Sequence, residues 1–368
     1  MSEKKLRWGI LSTAQIARKN WKAIRNSGNG TVTAVAGRDI ERSRNFIAGC
    51  QAEAPMEATP RALGSYEELL ASKEVDAVYI PLPTGLRKER VIRAAEAGKH
   101  IVCEKPCATS VADLREMLAA CRSHGVQFID GVMFMHSLRL PRMREVLDDG
   151  TSVGDIKRIT SSFNFCAPPE FFTGNIRAHG ALEPYGCLGD LGWYCIRFAL
   201  WVMNWQLPRR VTGRFLNEVT AQGSPAPVPT EFSGELLFEN GVSSGFYCSF
   251  ITANEQCALI SGTRGYLRLS DFVAPFFGPE LTFEVNNAVH NVSGCDFNME
   301  SHWRHFAVPE YSNSHPNAQE TNLFRNVTNQ VRSGTLNELW PEMALKTQQV
   351  MEACFESASA ANRSVQIR

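Results

Sequence analysis

The first part of the chain alternates short, uniformly apolar runs with segments whose apolar residues recur at helical spacing. The runs "RWGIL", "TVTAVA", "VDAVYI" and "HIVCE" have the length and composition of buried strands. The segments between them, such as residues 14–26, are predicted to be amphipathic helices. Because this alternation is typical of parallel strands joined by crossover helices, residues 1–132 are predicted to form an α/β domain with helices on both faces of a parallel sheet.

The pattern changes after about residue 150, where segments with a period of two residues follow one another. Asn240 and Gly241 lie between two of these segments, and this dipeptide is a strong hairpin signal. Residues 133–368 are therefore predicted to form an α+β domain on a large, mostly antiparallel sheet. We expect the C-terminal helix, 341–361, to pack back on the first domain.

Composition restricts the class of protein. The 368 residues exceed what one hydrophobic core usually serves, so two domains are expected. Lys+Arg and Asp+Glu balance at 38 each, so the chain has no excess of positive charge that would favour binding to nucleic acid or to an anionic membrane. The longest apolar run, "FALWVMNW", is too short to span a bilayer, and no apolar leader is visible. Eleven cysteines without paired spacing indicate reduced thiols, so a cytoplasmic protein is expected.

The turn after the first predicted strand, "STAQIA", has the layout of a dinucleotide fingerprint without its glycines. Ser12, Ala14 and Ala17 stand where the G-x-G-x-x-G/A pattern has its small residues. Small side chains leave the first N–H groups of the next helix accessible to a pyrophosphate. A purely structural strand-to-helix turn would have the same sequence. The predicted cofactor contacts in this turn are Ser12, Thr13, Ala14, Gln15 and Ile16.

The end of the second predicted strand, "AVAGRD", bears on the choice of cofactor. Gly37 and Arg38 occupy the place where an NAD site usually has an acid for the ribose hydroxyls. An arginine there suits a 2′-phosphate, which favours NADP over NAD. Asp39 could still reach the ribose, so NAD remains an alternative.

Two short segments carry the residues suited to chemistry. Lys105 follows a predicted strand in "HIVCEKPCA", at the edge of a parallel sheet where ligands bind. Asp190 and Tyr194, in "GDLGWYCIRFALWV", are four residues apart at the head of an apolar helix, which puts them on one face. The competing interpretation of the second segment is a capping carboxylate and a core aromatic.

Together these segments resemble the glucose–fructose oxidoreductase / inositol dehydrogenase / rhizopine catabolism (Gfo/Idh/MocA) family of NAD(P)-dependent oxidoreductases. The resemblance is greatest to the branch with NADP-dependent xylose dehydrogenase and dimeric dihydrodiol dehydrogenase. It implies a Rossmann domain followed by an open-faced sheet domain. It also implies that Lys105 adjoins the nicotinamide, that Asp190 orients substrate hydroxyls, and that Tyr194 replaces the catalytic histidine of many members. The further cofactor contacts implied are Pro81, Leu82, Pro83, Thr84, Glu104 and Lys105.

The sequence departs from the family pattern in places. Where many members have P-N-x-x-H, this chain has "PTGLR", so Thr84 and Arg87 stand in those positions. Arg87 is expected to face substrate or another subunit, with an ordinary helix surface as the alternative. Arg177, in "NIR", is a second candidate for the substrate pocket. His305, in "CDFNMESHWRHF", is a third candidate for the substrate pocket. This role is preferred to zinc binding, because no ordered pattern of metal ligands accompanies the histidine. No metal is expected.

The function predicted is transfer of a hydride between a nicotinamide cofactor and a carbinol or carbonyl of a sugar, polyol or related compound. A cofactor-binding sensor or scaffold that runs no reaction is one alternative, and a sugar–sugar oxidoreductase with tightly held NADP is another. An uncovered apolar sheet face would need burial, so a homodimer or homotetramer is expected, with no nucleic acid or membrane partner.

Overall fold

The computed structural model describes residues 4–367. Its strands, numbered in chain order, are β1 (Leu6–Leu11), β2 (Gly30–Ala36), β3 (Arg61–Leu63), β4 (Ala77–Ile80), β5 (His100–Cys103), β6 (Phe128–Asp130), β7 (Ile156–Cys166), β8 (Arg210–Val219), β9 (Val228–Leu237), β10 (Ser243–Ser249), β11 (Ile251–Gly262), β12 (Tyr266–Leu269), β13 (Leu281–Asn286), β14 (Val289–Ser293), β15 (Asp296–Glu300), β16 (Trp303–Val308) and β17 (Val365–Gln366). Its α-helices are α1 (Gln15–Asn26), α2 (Ile40–Glu53), α3 (Tyr66–Ala71), α4 (Arg87–Glu96), α5 (Val111–Ser123), α6 (Arg139–Asp148), α7 (Phe171–Gly174), α8 (Trp193–Val202), α9 (Gln319–Arg332) and α10 (Leu339–Ser359). No helix within these residues has the length and hydropathy needed to cross a membrane.

Strands β1 to β6 form one parallel sheet in the order β3-β2-β1-β4-β5-β6. All four residues of β4 are buried, as expected for a central strand with helices on both faces. The strand order reverses between β1 and β4, and in open α/β sheets the crevice beside that reversal, at the carboxyl ends, is where ligands bind. The α/β Rossmann prediction for this part of the chain is therefore confirmed.

The chain divides into two compact units. The first comprises residues up to His136, 179–184 and Ser312–Gln348, and the second comprises the rest. Both α9 and the start of α10 belong to the first unit, whereas the sequence-based division at residue 132 assigned them to the second domain and expected only the C-terminal helix, 341–361, to pack back on the first. The reason is packing: Phe324 of α9 lies edge-on to Trp8, with ring centroids 5.1 Å apart, and to Tyr79, at 5.9 Å. This face of α9 therefore completes the core under β1 and β4.

The second unit is built on a nine-stranded sheet in the order β16-β13-β12-β11-β7-β10-β9-β8-β17. Among its described strand pairs, β7 and β10 run parallel and the others antiparallel, as the predicted α+β class requires. The hairpin at Asn240–Gly241 joins β9 to β10, with Gly241 at φ +79°. One face of this sheet packs against α8, where Phe163 of β7 contacts Tyr194.

The other face of the nine-stranded sheet carries a continuous row of paired positions. In order across eight strands the row is Thr212, Glu235, Gly245, Thr160, Leu259, Arg268, Glu284 and His305. An ion pair between Arg158 and Glu235 lies on the same face. This face is therefore largely polar, which corrects the sequence-based argument that an apolar face demands burial by another subunit.

Candidate active site

The turn after β1 keeps the backbone shape of a glycine fingerprint without glycine. Ser12 has φ +149°, a region that residues with a side chain rarely occupy. Its hydroxyl accepts a hydrogen bond from the Ala14 N–H (3.0 Å), which holds the turn closed. Within the described residues, no side chain caps α1, and its first turn holds no acid. This helix end therefore suits an anion such as a pyrophosphate, which supports the predicted role of residues 12–16.

The structure of the loop after β2 distinguishes between Arg38 and Asp39, the two candidates for binding the ribose end of the cofactor. Asp39 caps α2, its carboxylate accepting from the Glu41 N–H at 2.8 Å. Arg38 is exposed beside it. A Cβ on Gly37 would lie 3.0 Å from the Ser43 hydroxyl oxygen and 3.3 Å from the Asp39 carbonyl oxygen, so a side chain here would push these neighbours by a few tenths of an ångström. The Arg38 side chain therefore remains available to the nucleotide, whereas the Asp39 carboxylate is already hydrogen-bonded to the start of α2.

The loop after β4 is held by a carboxylate that sequence reasoning missed. The Thr84 N–H and hydroxyl donate to the two oxygens of Glu183, at 3.0 and 2.5 Å. Thr84 is 1% exposed, while Pro83 beside it is partly exposed. Glu183 belongs to residues 179–184, which join the first unit. The local sequence around Glu183 has no pattern that points to Thr84.

Lys105 follows β5 on a loop anchored by Glu104. The Tyr79 hydroxyl donates to the Glu104 carboxylate at 2.5 Å, and the Lys105 N–H donates to its other oxygen at 3.3 Å. Burial, and then the neighbouring Glu104 charge, raise the pKa of Tyr79 well above its usual value, so this phenol stays protonated and acts as a donor. Lys105 itself is partly exposed. The carboxylate that precedes the lysine thus serves to fix its main chain.

Arg87 lies in the interior of the first unit and is 4% exposed. Its guanidinium donates to the carbonyl oxygens of Leu82 (2.6 Å) and Glu104 (2.8 Å), and also to that of Pro106. The sequence-based expectation was a side chain that faces substrate, a partner or solvent. The structure instead directs the guanidinium to main-chain carbonyls.

Asp190 and Tyr194 reach the surface together. In the fully described stretch 185–203 they are the two partly exposed residues, and all others are buried. Residues Leu188–Gly192 form a π-helical turn before α8, so the spacing of four spans a wider turn than the α-helix predicted. The Tyr194 ring lies edge-on to Phe163, with centroids 5.6 Å apart. The two side chains are therefore the accessible positions of this stretch of the second unit.

Arg177 and His305, both candidates for the substrate pocket, have different surroundings. The Arg177 Nε donates to the Asp190 carboxylate at 2.8 Å, in a pair whose side chains are 41% and 15% exposed. His305 is on the outer row of the nine-stranded sheet, opposite the face that Tyr194 contacts, and its Nδ1 lies 3.1 Å from Glu284. The structure thus joins Arg177 to Asp190 and separates His305 from both.

The first unit has the sheet order, the uncapped helix end and the close backbone approach at Gly37 of a dinucleotide-binding domain, and the second presents a partly exposed carboxylate, Asp190, and a partly exposed phenol, Tyr194. This combination defines the class as a nucleotide-dependent oxidoreductase. The family model "Oxidoreductase family, NAD-binding Rossmann fold" matches residues 6–132, and the "GFO/IDH/MocA C-terminal domain" model matches 141–268. The chain belongs to the Gfo/Idh/MocA oxidoreductase family.

Two relatives and two solved structures illustrate the similarity. A trans-1,2-dihydrobenzene-1,2-diol dehydrogenase of Mus musculus is 31% identical over 73% of this chain and 76% of its own length. A D-xylose 1-dehydrogenase (NADP(+)) of Haloferax volcanii is 30% identical over 77% and 82%. A 3-ketoreductase from Actinomadura kijaniata, solved with TDP-benzene and NADP, shares the fold with a TM-score of 0.78, 23% identity and coverage of 96% and 98%. An aldose–aldose oxidoreductase from Caulobacter crescentus shares it with a TM-score of 0.78, 21% identity and coverage of 99% and 100%.

The predicted enzyme class and cofactor class are confirmed by this family membership. The chain is an NAD(P)-dependent oxidoreductase that acts on a carbinol or carbonyl group of a sugar, polyol or related compound. The sensor or scaffold alternative is not favoured by these matches.

Proposed function

We propose that this protein is an NADP-preferring dehydrogenase or reductase in which Lys105, Asp190 and Tyr194 form the reaction site. The observation that carries the proposal is the shared exposure of Asp190 and Tyr194 in an otherwise buried stretch. The pairing of Asp190 with Arg177 supports it, because it holds the carboxylate in place for a substrate hydroxyl.

The bound nicotinamide supplies hydride transfer, and the chain supplies positioning and the proton. Tyr194 Oη takes the hydroxyl proton when a carbinol is oxidised and returns it when a carbonyl is reduced. A phenol titrates near about 10 in water, and a positive charge brought close to it favours the phenolate. Asp190 accepts a hydrogen bond from a substrate hydroxyl and thereby orients the reacting carbon. General acid–base catalysis of this kind contributes about 10²–10⁴-fold to the rate.

Preference for NADP is supported by the loop after β2. The Asp39 carboxylate caps α2, whereas Arg38 is exposed and can pair with a 2′-phosphate in a bidentate manner. The relative from Haloferax volcanii carries NADP in its printed name. Carried over to this chain, the names of the relatives favour a pentose or a vicinal diol as the first substrates to try.

Calorimetric titration of the purified protein with NADP⁺ and NAD⁺ tests this proposal. We expect tighter binding of NADP⁺, and Arg38→Ala should weaken NADP⁺ at least tenfold while changing NAD⁺ less than twofold. Arg42→Ala, an exposed arginine in the first turn of α2, is the matched control. Equal affinities for the two nucleotides would overturn the NADP preference. Binding of neither would refute the proposed function and favour a scaffold that has lost its nucleotide site, and nucleotide retained through gel filtration would favour the sugar–sugar oxidoreductase.

The proposal extends to a cytoplasmic homodimer or homotetramer. The exposed outer row of the nine-stranded sheet is a broad surface on which a second copy could pack. Because that surface is polar, such an interface would be hydrogen-bonded and hydrated rather than driven mainly by apolar area. The reduced state of the cysteines in the structure is consistent with a cytoplasmic location.

A further inference from the structure

The buried guanidinium of Arg87 has partners in two different loops. Leu82 belongs to the loop after β4, while Glu104 and Pro106 belong to the loop after β5. These are neighbouring strands of the parallel sheet, so their carboxyl ends lie side by side. Arg87 therefore ties together the two loops at the edge of the sheet where a ligand is bound.

The carbonyls that Arg87 holds lie on either side of Lys105. Glu104 precedes the lysine and Pro106 follows it, and the Arg87 Nη1 donates to the carbonyl oxygens of both. The Glu104–Lys105 peptide and the Pro106–Cys107 peptide are thereby held by one guanidinium. The Glu104 carboxylate, which accepts from the Tyr79 hydroxyl, also accepts from the Lys105 N–H.

An arginine is suited to this task in a way that lysine and histidine are not. A guanidinium is planar, always charged, and carries five N–H donors in fixed directions. It can therefore serve three carbonyls at once, whereas an ammonium lacks the planar fork and an imidazole has at most two donors. A charge buried this deeply needs hydrogen-bond partners, and the three carbonyls provide them. Its burial is consistent with a structural task inside the site.

We infer that Arg87 is a positioning residue. It holds the Lys105 loop and the loop at Leu82–Thr84 in one fixed arrangement, next to the nicotinamide half of the cofactor. The inference rests on the proposed function for the position of the nicotinamide. Arg87 touches neither substrate nor cofactor and acts through the main chain. The adenosine half of the cofactor, which the loops after β1 and β2 would hold, does not depend on it.

The test compares ligands and variants. Arg87→Met removes the guanidinium, and Arg87→Lys keeps the positive charge but not the planar set of donors. The control is Arg93→Met, which removes an arginine from the same helix; the Arg93 side chain is 52% exposed and paired with Glu89. NADP⁺ and 2′,5′-ADP, which lacks the nicotinamide, are titrated into each variant. We expect the Kd for NADP⁺ to rise at least tenfold in Arg87→Met and less in Arg87→Lys. The Kd for 2′,5′-ADP should stay within twofold, and Arg93→Met should match the wild type.

Hydrogen exchange without any ligand provides the independent readout. We expect the amides of residues 104–109 to exchange at least tenfold faster in Arg87→Met than in the wild type or Arg93→Met. If Arg87→Met does not fold, Arg87→Lys carries the same comparison. Unchanged exchange rates in these residues would contradict the proposed role of Arg87, and so would equal losses of affinity for NADP⁺ and 2′,5′-ADP. A wild-type protein that binds neither nucleotide would instead refute the proposed function, and exchange alone would then decide whether the guanidinium holds the loop.

Discussion

At the scale of single residues, the site depends on side chains whose roles are set by what surrounds them. Ser12 takes a backbone conformation suited to glycine, and its hydroxyl closes the turn. The Glu104 carboxylate is buried and accepts from Tyr79, whereas the Asp190 carboxylate is partly exposed and accepts from Arg177. Cys103, next to Glu104, is a buried thiol whose pKa burial raises to about 12, so it stays protonated at neutral pH. Similar residues thus serve structure in one place and chemistry in another.

The backbone of Ser12 gives a test that compares two variants. Ser12→Gly and Ser12→Ala both remove the hydroxyl, but only glycine relieves the backbone strain of about 1–3 kcal/mol. The greater entropy of glycine in the unfolded chain opposes this by about 0.4–1 kcal/mol. We therefore expect Ser12→Gly to be the more stable variant by about 1–2 kcal/mol in urea denaturation. The exposed helical control, Ala119→Gly, should lose about 0.5–1 kcal/mol. An alanine variant as stable as the glycine variant would rule out strain at Ser12.

The phenol of Tyr194 gives the second test at this scale. Tyr194→Phe keeps the ring that contacts Phe163 but removes the oxygen that carries the proton. We expect kcat to fall at least tenfold while the Kd for NADP⁺ is unchanged, measured by steady-state absorbance at the nicotinamide band and by calorimetry. Tyr266→Phe, on the outer face of the sheet two residues before Arg268, should leave both values unchanged. Turnover that survives in Tyr194→Phe would remove this residue from the mechanism.

At the scale of elements, local signals in the sequence reliably mark where helices and strands begin. The Ser65 hydroxyl caps α3 by accepting from the Glu68 N–H, as its position before the helix predicts. Gly98 follows the helix before β5 with φ +70°, the conformation that glycine commonly adopts after a helix end. The π-helical turn at Leu188–Gly192 was not anticipated, since its residues read as an ordinary helix start. Ion pairs between elements also stabilise the fold, and no local sequence pattern predicts them.

One such pair joins β1 to the start of β4. Arg7 donates to both carboxylate oxygens of Asp76 through its side chain, at 2.9 and 2.6 Å, and through its N–H at 3.0 Å. Burial alone would raise the pKa of Asp76, but these hydrogen bonds outweigh it and hold the pKa below its usual value. The pair therefore stabilises the folded state above the unfolded pKa of about 3.9, and this contribution is lost as the pH falls through the folded pKa.

Asp76→Asn should lower the free energy of unfolding at pH 7 by about 1–2 kcal/mol, because a charge-assisted hydrogen bond becomes a neutral one. We expect the difference from the wild type to shrink once the pH falls below about 4, measured by urea denaturation across pH 3 to 7. Glu57→Gln, which breaks the exposed pair with Lys5, is the control and should change nothing measurable. A deficit in Asp76→Asn that persists unchanged down to pH 3 would contradict the ionic origin of the effect.

At the scale of the whole molecule, the nine-stranded sheet determines which surface is available for assembly. Its outer row runs through Thr160 at the centre, with Arg268 and Glu284 towards one edge. A long, charged side chain at the centre of this row would disturb any face-to-face interface, whereas the isolated chain could accommodate it in solvent.

Thr160→Arg should therefore shift the mass measured by light scattering after gel filtration towards the monomer, with an unchanged melting temperature for the individual chain. Lys157→Glu, an exposed change of charge on β7 three residues before Thr160, is the control and should leave the mass unchanged. An assembly that keeps its full mass in Thr160→Arg would exclude this face as the interface.

The sequence by itself determined the features that depend on neighbours along the chain. Alternating apolar runs and amphipathic helices specify the parallel sheet, and Asn240–Gly241 specifies a hairpin. The small residues after β1 and the lysine after β5 mark the ligand-binding edge, since the carboxyl ends of parallel strands meet there. Periodicity and turn chemistry act over a few residues, so a sequence reports them directly.

Only the tertiary structure decided which distant groups meet. The bond from Thr84 to Glu183 spans 99 residues, and the bond from Arg87 to Glu104 spans 17. The same is true of His305, whose register across the sheet places it on the outer face. These contacts follow from the path of the chain and the packing of its elements, because a buried charge or carbonyl is satisfied by whichever partner the fold brings near. A local pattern cannot specify that partner.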